Sequence, residues 1–449
     1  MIANIKDFYN KAKTDLDLLL LGLLIFALPF ERIPSVEVFG TTIRASLVVG
    51  AALLIRVAYL LLTKRLKFKW NWLYIVIALF VGWVFLIVPE SINLKRGLQI
   101  AVFNGFVIAV GMAVSLVYRK EYLSKLVTLL LLSATVVSVF AIYQFFGDVI
   151  GLPGYATGLS DRYNSALFGF PRVQSTSLEP LYFGSYLLLP TLILYGLFVY
   201  QDAEIITNKT KFALIILFTT NLFLTVGRGA VFSLLVGTFA LIVIAVLKKV
   251  ANIKTLLKLF ALIFIGFVAS YLMINYLSKI PLDISKTFGK QGGAVFTQQL
   301  TTTGFGGEGD ERAKSRAKAI MILNDNKSAY ILGIGPGQYG PYVANNQPEF
   351  YGWPIVNNLT LELLVETGIV GLGLIVLFFL GIFYKGFRVL GSKKPDILTS
   401  SVTLALMAYF ASQALQFQTF STLYIMHIWV GAGLLLGLII TSSVKNRSN

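Results

Sequence analysis

Twelve apolar runs constrain this chain more than any other feature. The hydrocarbon core of a bilayer takes about 20 apolar residues of helix, and runs of about that length fall at 17–30, 43–63, 70–88, 97–117, 122–146, 181–200, 211–227, 229–247, 256–277, 359–384, 398–416 and 422–441 of the 449 residues. A composition of 56% hydrophobic and only 13% charged residues is not that of a soluble protein. The expected fold is an all-α polytopic membrane protein of about 12 transmembrane helices in one membrane domain, carrying a large external loop. Chemistry is narrowed as well. With no cysteine and a single histidine, His427, disulfides, thiolate nucleophiles, iron–sulfur clusters and His- or Cys-built metal sites are excluded, and no metal or cofactor is expected.

Basic residues of short loops stay preferentially on the cytoplasmic side, and here they alternate with the runs. Clusters at Lys6, Lys11, Lys13, then Lys64, Arg65, Lys67, Lys69, then Arg119, Lys120, Lys125, and at Lys385, Arg388, Lys393, Lys394 all fall on one side. Both termini are therefore expected to be cytoplasmic. The first run is no cleavable signal, because its flank is long and partly acidic and no small-residue cleavage site follows. Residues 1–16 form an interfacial segment, with Ile2, Ile5, Phe8, Tyr9 and Ala12 at helical spacing opposite the lysines, expected to lie along the membrane surface. The rest divides into runs one to nine at 17–277, a large loop at 278–358, runs ten to twelve at 359–441 and a cytoplasmic tail at 442–449. The formal charge of +17 resides almost wholly on the cytoplasmic segments, while the external ones are nearly neutral. The basic balance is thus topology and gives no support for nucleic-acid binding.

Two external segments exceed what a turn needs, 147–180 and 278–358, and loops as long as the second are, in compact proteins, usually functional or disordered. The second opens with a glycine-rich stretch through Gly309. After it, Asp310 is placed to cap a helix whose face carries Arg312, Arg316, Ile320 and Leu323, an amphipathic element suited to the outer membrane boundary. The later ILGIGPGQYG holds glycines at 333, 335, 337 and 340. It lacks the preceding strand of a dinucleotide fingerprint, so a backbone turn returning the loop to the bundle is expected instead.

Polar groups at membrane depth are costly and so are candidates by default. For Asn104, Gln144, Asn221, Gln413 and Gln416, hydrogen bonding between helices is the expected role. Arg56 can snorkel to the cytoplasmic surface, His427 reads as a packing residue, and Asp15 and Asp17 suit the start of a helix. The external arginines differ. Arg172 lies in FGFPRVQSTSLEP, Arg228 in LTVGRGA between two hydrophobic runs, and Arg312 and Arg316 one turn apart on the loop helix. A guanidinium is permanently charged and binds phosphate oxygens bidentately. Several near one opening suit a diphosphate at the membrane surface, and pairing with lipid phosphates or with Glu179, Glu308 and Glu311 is the structural alternative. In PIVNNLTLELLVETGIVG, Asn357 and Asn358 precede Glu362 and Glu366, which four residues apart share a helix face. A catalytic role and salt bridging to Arg228 are both open for these acids.

Taken in order, RVQSTSLEP before a helix, LTVGRGA, an arginine-bearing loop helix, GIGPGQYG and NNLTLELLVETGIVG resemble the signature segments of the O-antigen ligase and O-antigen polymerase superfamily, over roughly residues 170–385. The resemblance implies a glycosyltransferase-C-like bundle in the bacterial inner membrane with a periplasmic active site. It implies a metal-independent inverting enzyme that takes a glycan from undecaprenyl diphosphate and passes it to lipid A-core, in a ligase, or to another lipid-linked glycan, in a polymerase. By position, Arg228 matches the family arginine of Ser/Thr-x-Ser-Arg-Gly, with Gly227 replacing the small hydroxyl residue, and either Arg312 or Arg316 matches the loop-helix arginine. Asn357 and Asn358 stand where the family reads His-Asn. That departure matters, because asparagine cannot take a proton in the relevant range.

The expected catalytic group is therefore Arg228 with Arg312 or Arg316 stabilising the departing diphosphate, Glu179 or Glu366 available as general base, and Asn357 orienting the acceptor. Substrate contacts are assigned to Arg172, Asn358 and Glu362. Loss of the histidine favours a polymerase over a ligase. A flippase or transporter of lipid-linked oligosaccharide would also hold cavity-facing arginines, but it is expected to show related halves, and the large loop here falls in one half only.

Overall fold

The computed structural model describes residues 2–38, 41–66, 68–201, 205–277, 311–346, 355–391, 396–421 and 423–444. The glycine-rich stretch, the Asp310 cap, Glu308 and the end of the tail lie outside these residues. Every one of the twelve apolar runs falls on a helix. In chain order the helices are α1 (Ile2–Ala12), α2 (Leu16–Ala27), α3 (Ala45–Leu62), α4 (Trp72–Leu86), α5 (Leu94–Val117), α6 (Leu123–Val149), the single turns α7 (Gly154–Thr157) and α8 (Ser165–Phe168), then α9 (Pro180–Val199), α10 (Asn208–Leu224), α11 (Arg228–Leu247) and α12 (Ile253–Asn275). After these come α13 (Glu311–Asp325), α14 (Tyr339–Asn346), α15 (Leu359–Leu390), α16 (Ile397–Gln416) and α17 (Met426–Val444). Among the described residues, nine helices are long and apolar enough to cross a membrane, and α2 and α17 supply shorter apolar stretches. The chain is an all-α polytopic membrane protein. One small antiparallel hairpin, β1 (Ser35–Val38) with β2 (Thr41–Arg44) in the register Ser35 to Arg44, was not foreseen.

The described residues gather into two compact units, drawn from 1–59, 117–302 and 389–413 in the first and from 60–116, 303–388 and 414–449 in the second. In the first unit α9 is the axis, with 94% of its span buried against α6, α10, α11 and α12. A methyl at Gly196 would stand 2.5 Å from the carbonyl oxygen of Ser401, so glycine is what lets α9 and α16 approach. At one end of this unit α1 packs on α2 and α6, with Phe8 against Gly22, Asn4 bonded to Thr128 and Asp7 paired with the buried Lys125 at 2.8 Å. Arg56 is held by an ion pair. It pairs with the buried Asp17 at 2.8 Å, which Arg119 also reaches at 3.4 Å, while Asp15 caps α2 through the Leu18 N–H as the sequence suggests.

In the second unit, α5 and α17 touch through Gly111 and Gly433. The 32 residues of α15 would extend about 48 Å at 1.5 Å each, well beyond the roughly 30 Å of hydrocarbon. The helix is broken in a useful place: Gly368 has φ 65° and ψ −175°, so a nine-residue leading segment turns away from the long remainder. Onto that segment folds the described part of the large loop. Ala319, Ile322 and Leu323 of α13, with Ala329, Ile334, Tyr339 and Val343, form a small core that closes over Val356 and Val365. The buried stripe of α13 therefore runs through Ala319, Ile322 and Leu323. Ile320 is exposed, whereas Leu323, expected with it on the face toward the outer membrane boundary, is buried in this core.

Candidate active site

The site residues expected from the sequence separate into two clusters, one in each unit. In the first unit, the segment 172–178 lies buried against the loop after α2. Gln144 clamps it from α6, accepting from the Ser175 N–H at 2.7 Å and donating to the Ser175 carbonyl at 3.1 Å, so Gln144 bonds a loop rather than another helix. Arg32 adds a second clamp, donating from its guanidinium to the Gly158 carbonyl and from its backbone to the Thr176 carbonyl, with the Gln174 amide oxygen 2.8 Å from Nη2 once that amide is turned to face it. Thus held, Arg172 donates from Nε to the carbonyl of Thr225 at 3.3 Å, and Val173 donates to Leu224. Two of the signature segments meet there. From Thr225 the chain passes through Val226, in the left-handed region at φ 50°, to Gly227, which caps α11, and Arg228 begins that helix with its side chain exposed. The first amides of α11 face the same end and add partial positive charge.

Arg172 also lies over the ring of Tyr163, at 5.8 Å from the centroid. The Tyr163 hydroxyl bonds to Glu179, and burial together with that carboxylate holds the phenol above its ordinary range. Glu179 is exposed at the start of α9 and makes no capping bond. Tyr163 itself was missed by sequence reasoning, since an Asp-Arg-Tyr turn within a loop carries no spacing that would single it out.

In the second unit, the glycine turn and Glu366 form one object. Both carboxylate oxygens of Glu366 accept backbone amides, Oε2 from Gly337 at 2.8 Å and Oε1 from Tyr339 at 3.0 Å, and its carbonyl accepts from Gly335 at 3.1 Å. Left-handed glycines at 333, 335 and 337 make the wrap feasible, with φ of 82°, 97° and 70°. The sequence expectation of a return turn rather than a nucleotide loop agrees with this geometry. Glu366 is thereby engaged as the anchor of the turn. Arg96, from the first turn of α5, donates to the Gly337 carbonyl at 2.8 Å, and its charge acts on both Glu362 and Glu366. Buried Gln338 exchanges two bonds with Asn93, at 2.8 and 3.2 Å. Arg96 and Gln338 were also missed, because their partners are more than 200 residues away and leave no local trace.

Asn358 caps α15, its Oδ1 accepting from the Leu361 N–H at 3.0 Å and its Nδ2 donating to Gln418 at 3.2 Å. That side chain, expected to touch substrate, is committed to the helix start. Glu362 accepts from Ser421 and from the Val356 N–H. Asn357 adopts the left-handed region at φ 54°, which asparagine tolerates better than most residues, and donates only a long bond to the Ile355 carbonyl at 3.4 Å. Of the two loop-helix arginines, Arg316 donates to the carbonyl of Gln418 at 3.1 Å, the residue to which Asn358 also bonds. His427 is 1% exposed, in keeping with a packing role. Among the described residues no group of three or more His, Cys, Asp or Glu could hold a metal ion.

Over residues 212–378 the chain matches the O-antigen ligase family, a range that takes in Arg228, both loop-helix arginines, the two asparagines and both glutamates of α15. Arg172 and Glu179 precede it. No curated protein matches the chain.

Proposed function

We propose that this chain, whose residues 212–378 match the O-antigen ligase family, is a membrane glycosyltransferase of the O-antigen ligase and polymerase type, and within it a polysaccharide polymerase using an undecaprenyl-diphosphate-linked donor. The observation that carries the reading is the bond from Arg172 to Thr225, three residues before Arg228. It ties two arginine-bearing segments to one helix N-terminus, the arrangement that a diphosphate requires.

In this reading Arg172 and Arg228 bind the donor diphosphate. An acceptor hydroxyl attacks the anomeric carbon from the face opposite the diphosphate, the bond from that carbon to the diphosphate oxygen breaks, and the configuration inverts. Negative charge develops on the departing undecaprenyl diphosphate, where permanent guanidinium charge is worth most. The acceptor's proton passes to a carboxylate. Of the two proposed bases, Glu366 spends both oxygens on the glycine turn, so the role falls to the exposed Glu179, a contribution of about 100-fold to 10,000-fold if typical. No protein group here supplies the imidazole that the family's ligases place at position 357, and this favours a second lipid-linked glycan over lipid A-core as acceptor.

Purified protein in detergent, given a lipid-linked glycan, is expected to build longer glycans on the carrier lipid. Arg228→Ala should lower transfer at least about 100-fold, as loss of one transition-state donor does elsewhere, while the protein still inserts and elutes as the wild type. Full activity in that variant would remove the mechanism. Transfer to lipid A-core, with no elongation, would replace the polymerase by a ligase.

A further inference from the structure

One apolar surface of the large loop faces neither its own core nor any described helix. On α13, residues 317, 320, 321 and 324 lie in one sector, opposite the buried Ala319, Ile322 and Leu323, and there Met321 is 53% exposed and Ile320 is exposed beside it. Asn324 of the same sector accepts a bond from the Tyr330 hydroxyl at 3.3 Å. The surface therefore continues into Tyr330, Ile331 and Leu332, all exposed, with Ile331 at 57%.

What lies next to it decides its occupant. The carbonyl of Ile331 sits against Gly368, where a methyl would come within 2.0 Å of it. Directly beyond Gly368 begins the exposed stripe of the transmembrane part of α15: Ile369, Gly373 with open space around its Cα, Val376, Leu380 and Tyr384. These recur at helical spacing on a span long and apolar enough to cross the bilayer, so they face lipid. The loop surface and the lipid-facing stripe therefore meet at Gly368.

We propose that the loop module docks on the bilayer surface, seating Ile320, Met321, Ile331 and Leu332 in the interfacial region at the Gly368 end of α15. Exposed apolar groups beside a transmembrane helix partition into that region in the way interfacial amphipathic helices do. The loop is thereby held against the membrane at two places, through Glu366 inside the unit and through this face outside it.

Because the chain contains no cysteine, single-cysteine variants report one position each. Met321→Cys, Ile331→Cys, Ile369→Cys and Lys314→Cys, in the full-length protein, would be labelled with bimane and reconstituted in phosphatidylethanolamine and phosphatidylglycerol vesicles. Some vesicles would include phosphatidylcholine with a nitroxide just below the headgroup. The expected result is a loss of fluorescence at positions 321 and 331 comparable to that at 369, independent of the protein-to-lipid ratio, with iodide quenching only at the exposed Lys314 position. Iodide quenching at 321 and 331 as strong as at 314 would overturn the proposal. Protection that appears only as protein crowds the vesicle would assign the face to a second copy of the chain, and would overturn it equally. Two independent loop positions guard against one variant that fails to fold.

Discussion

Glu31 lies buried between the end of α2 and the hairpin, beside Arg44, and accepts the backbone N–H of Leu178. Burial is the main influence on it and outweighs the attraction of Arg44, so its carboxyl is pushed up to about 7. The folded protein holds this proton to about pH 7, whereas an unfolded chain releases it near 4.5. Stability contributed by the neutral form is therefore present below about 4.5 and is lost as the pH rises through about 7, a change of at most about 3 kcal/mol. Glu31→Gln stays neutral at every pH. Thermal unfolding in detergent at pH 5 and pH 8 should show the wild type losing stability across that interval and the variant losing distinctly less. Equal losses would mean that Glu31 ionises without cost. The bond to Leu178 gives the residue a functional bearing, since Leu178 precedes Glu179 in the segment that also presents Arg172.

At the scale of elements, the turn at 333–339 and the leading segment of α15 behave as one piece because Gly333 admits the backbone of Glu366 and Thr367 and Gly368 admits that of Ile331 and Leu332. A methyl at Gly368 meets the Ile331 carbonyl at 2.0 Å and must also adopt a left-handed φ. Gly368→Ala should cost more than about 2 kcal/mol in thermal stability, whereas Gly373→Ala, with nothing within 4 Å, should be neutral or mildly stabilising. Matching effects at the two positions would contradict the close approach. The twelve helices were legible in the sequence because about 20 apolar residues are a local and redundant signal. The break at Gly368 was not, since Glu366 to Gly373 reads as the continuing start of one apolar run. Nor was the bond from Arg316 to the Gln418 carbonyl, which belongs to a segment remote in sequence. The site was legible as residue types and order, and illegible wherever a side chain had a structural partner. Asn358 and Glu366 carry polar groups suited to substrate, yet a cap and a turn use them.

For the molecule as a whole, the distribution of Lys and Arg implies an orientation that labelling can test. With an impermeant maleimide on right-side-out vesicles, Arg162→Cys should react directly and Lys13→Cys only after permeabilisation, both side chains being exposed in the protein. The reverse pattern would invert the proposed topology and put the arginine cluster on the wrong face for an external glycan. The enclosure of α9 has a consequence for biogenesis. Of the helices packed against it, α6 precedes it in the chain, while α10, α11, α12 and α16 are still to be synthesised when α9 leaves the ribosome. A helix whose finished surroundings are almost entirely protein must therefore begin in lipid or against the insertion machinery, and exchange that first environment for its later neighbours. Assembly of this unit is a sequence of solvent changes for a single helix, and truncation after α9 would strand it in the first of them.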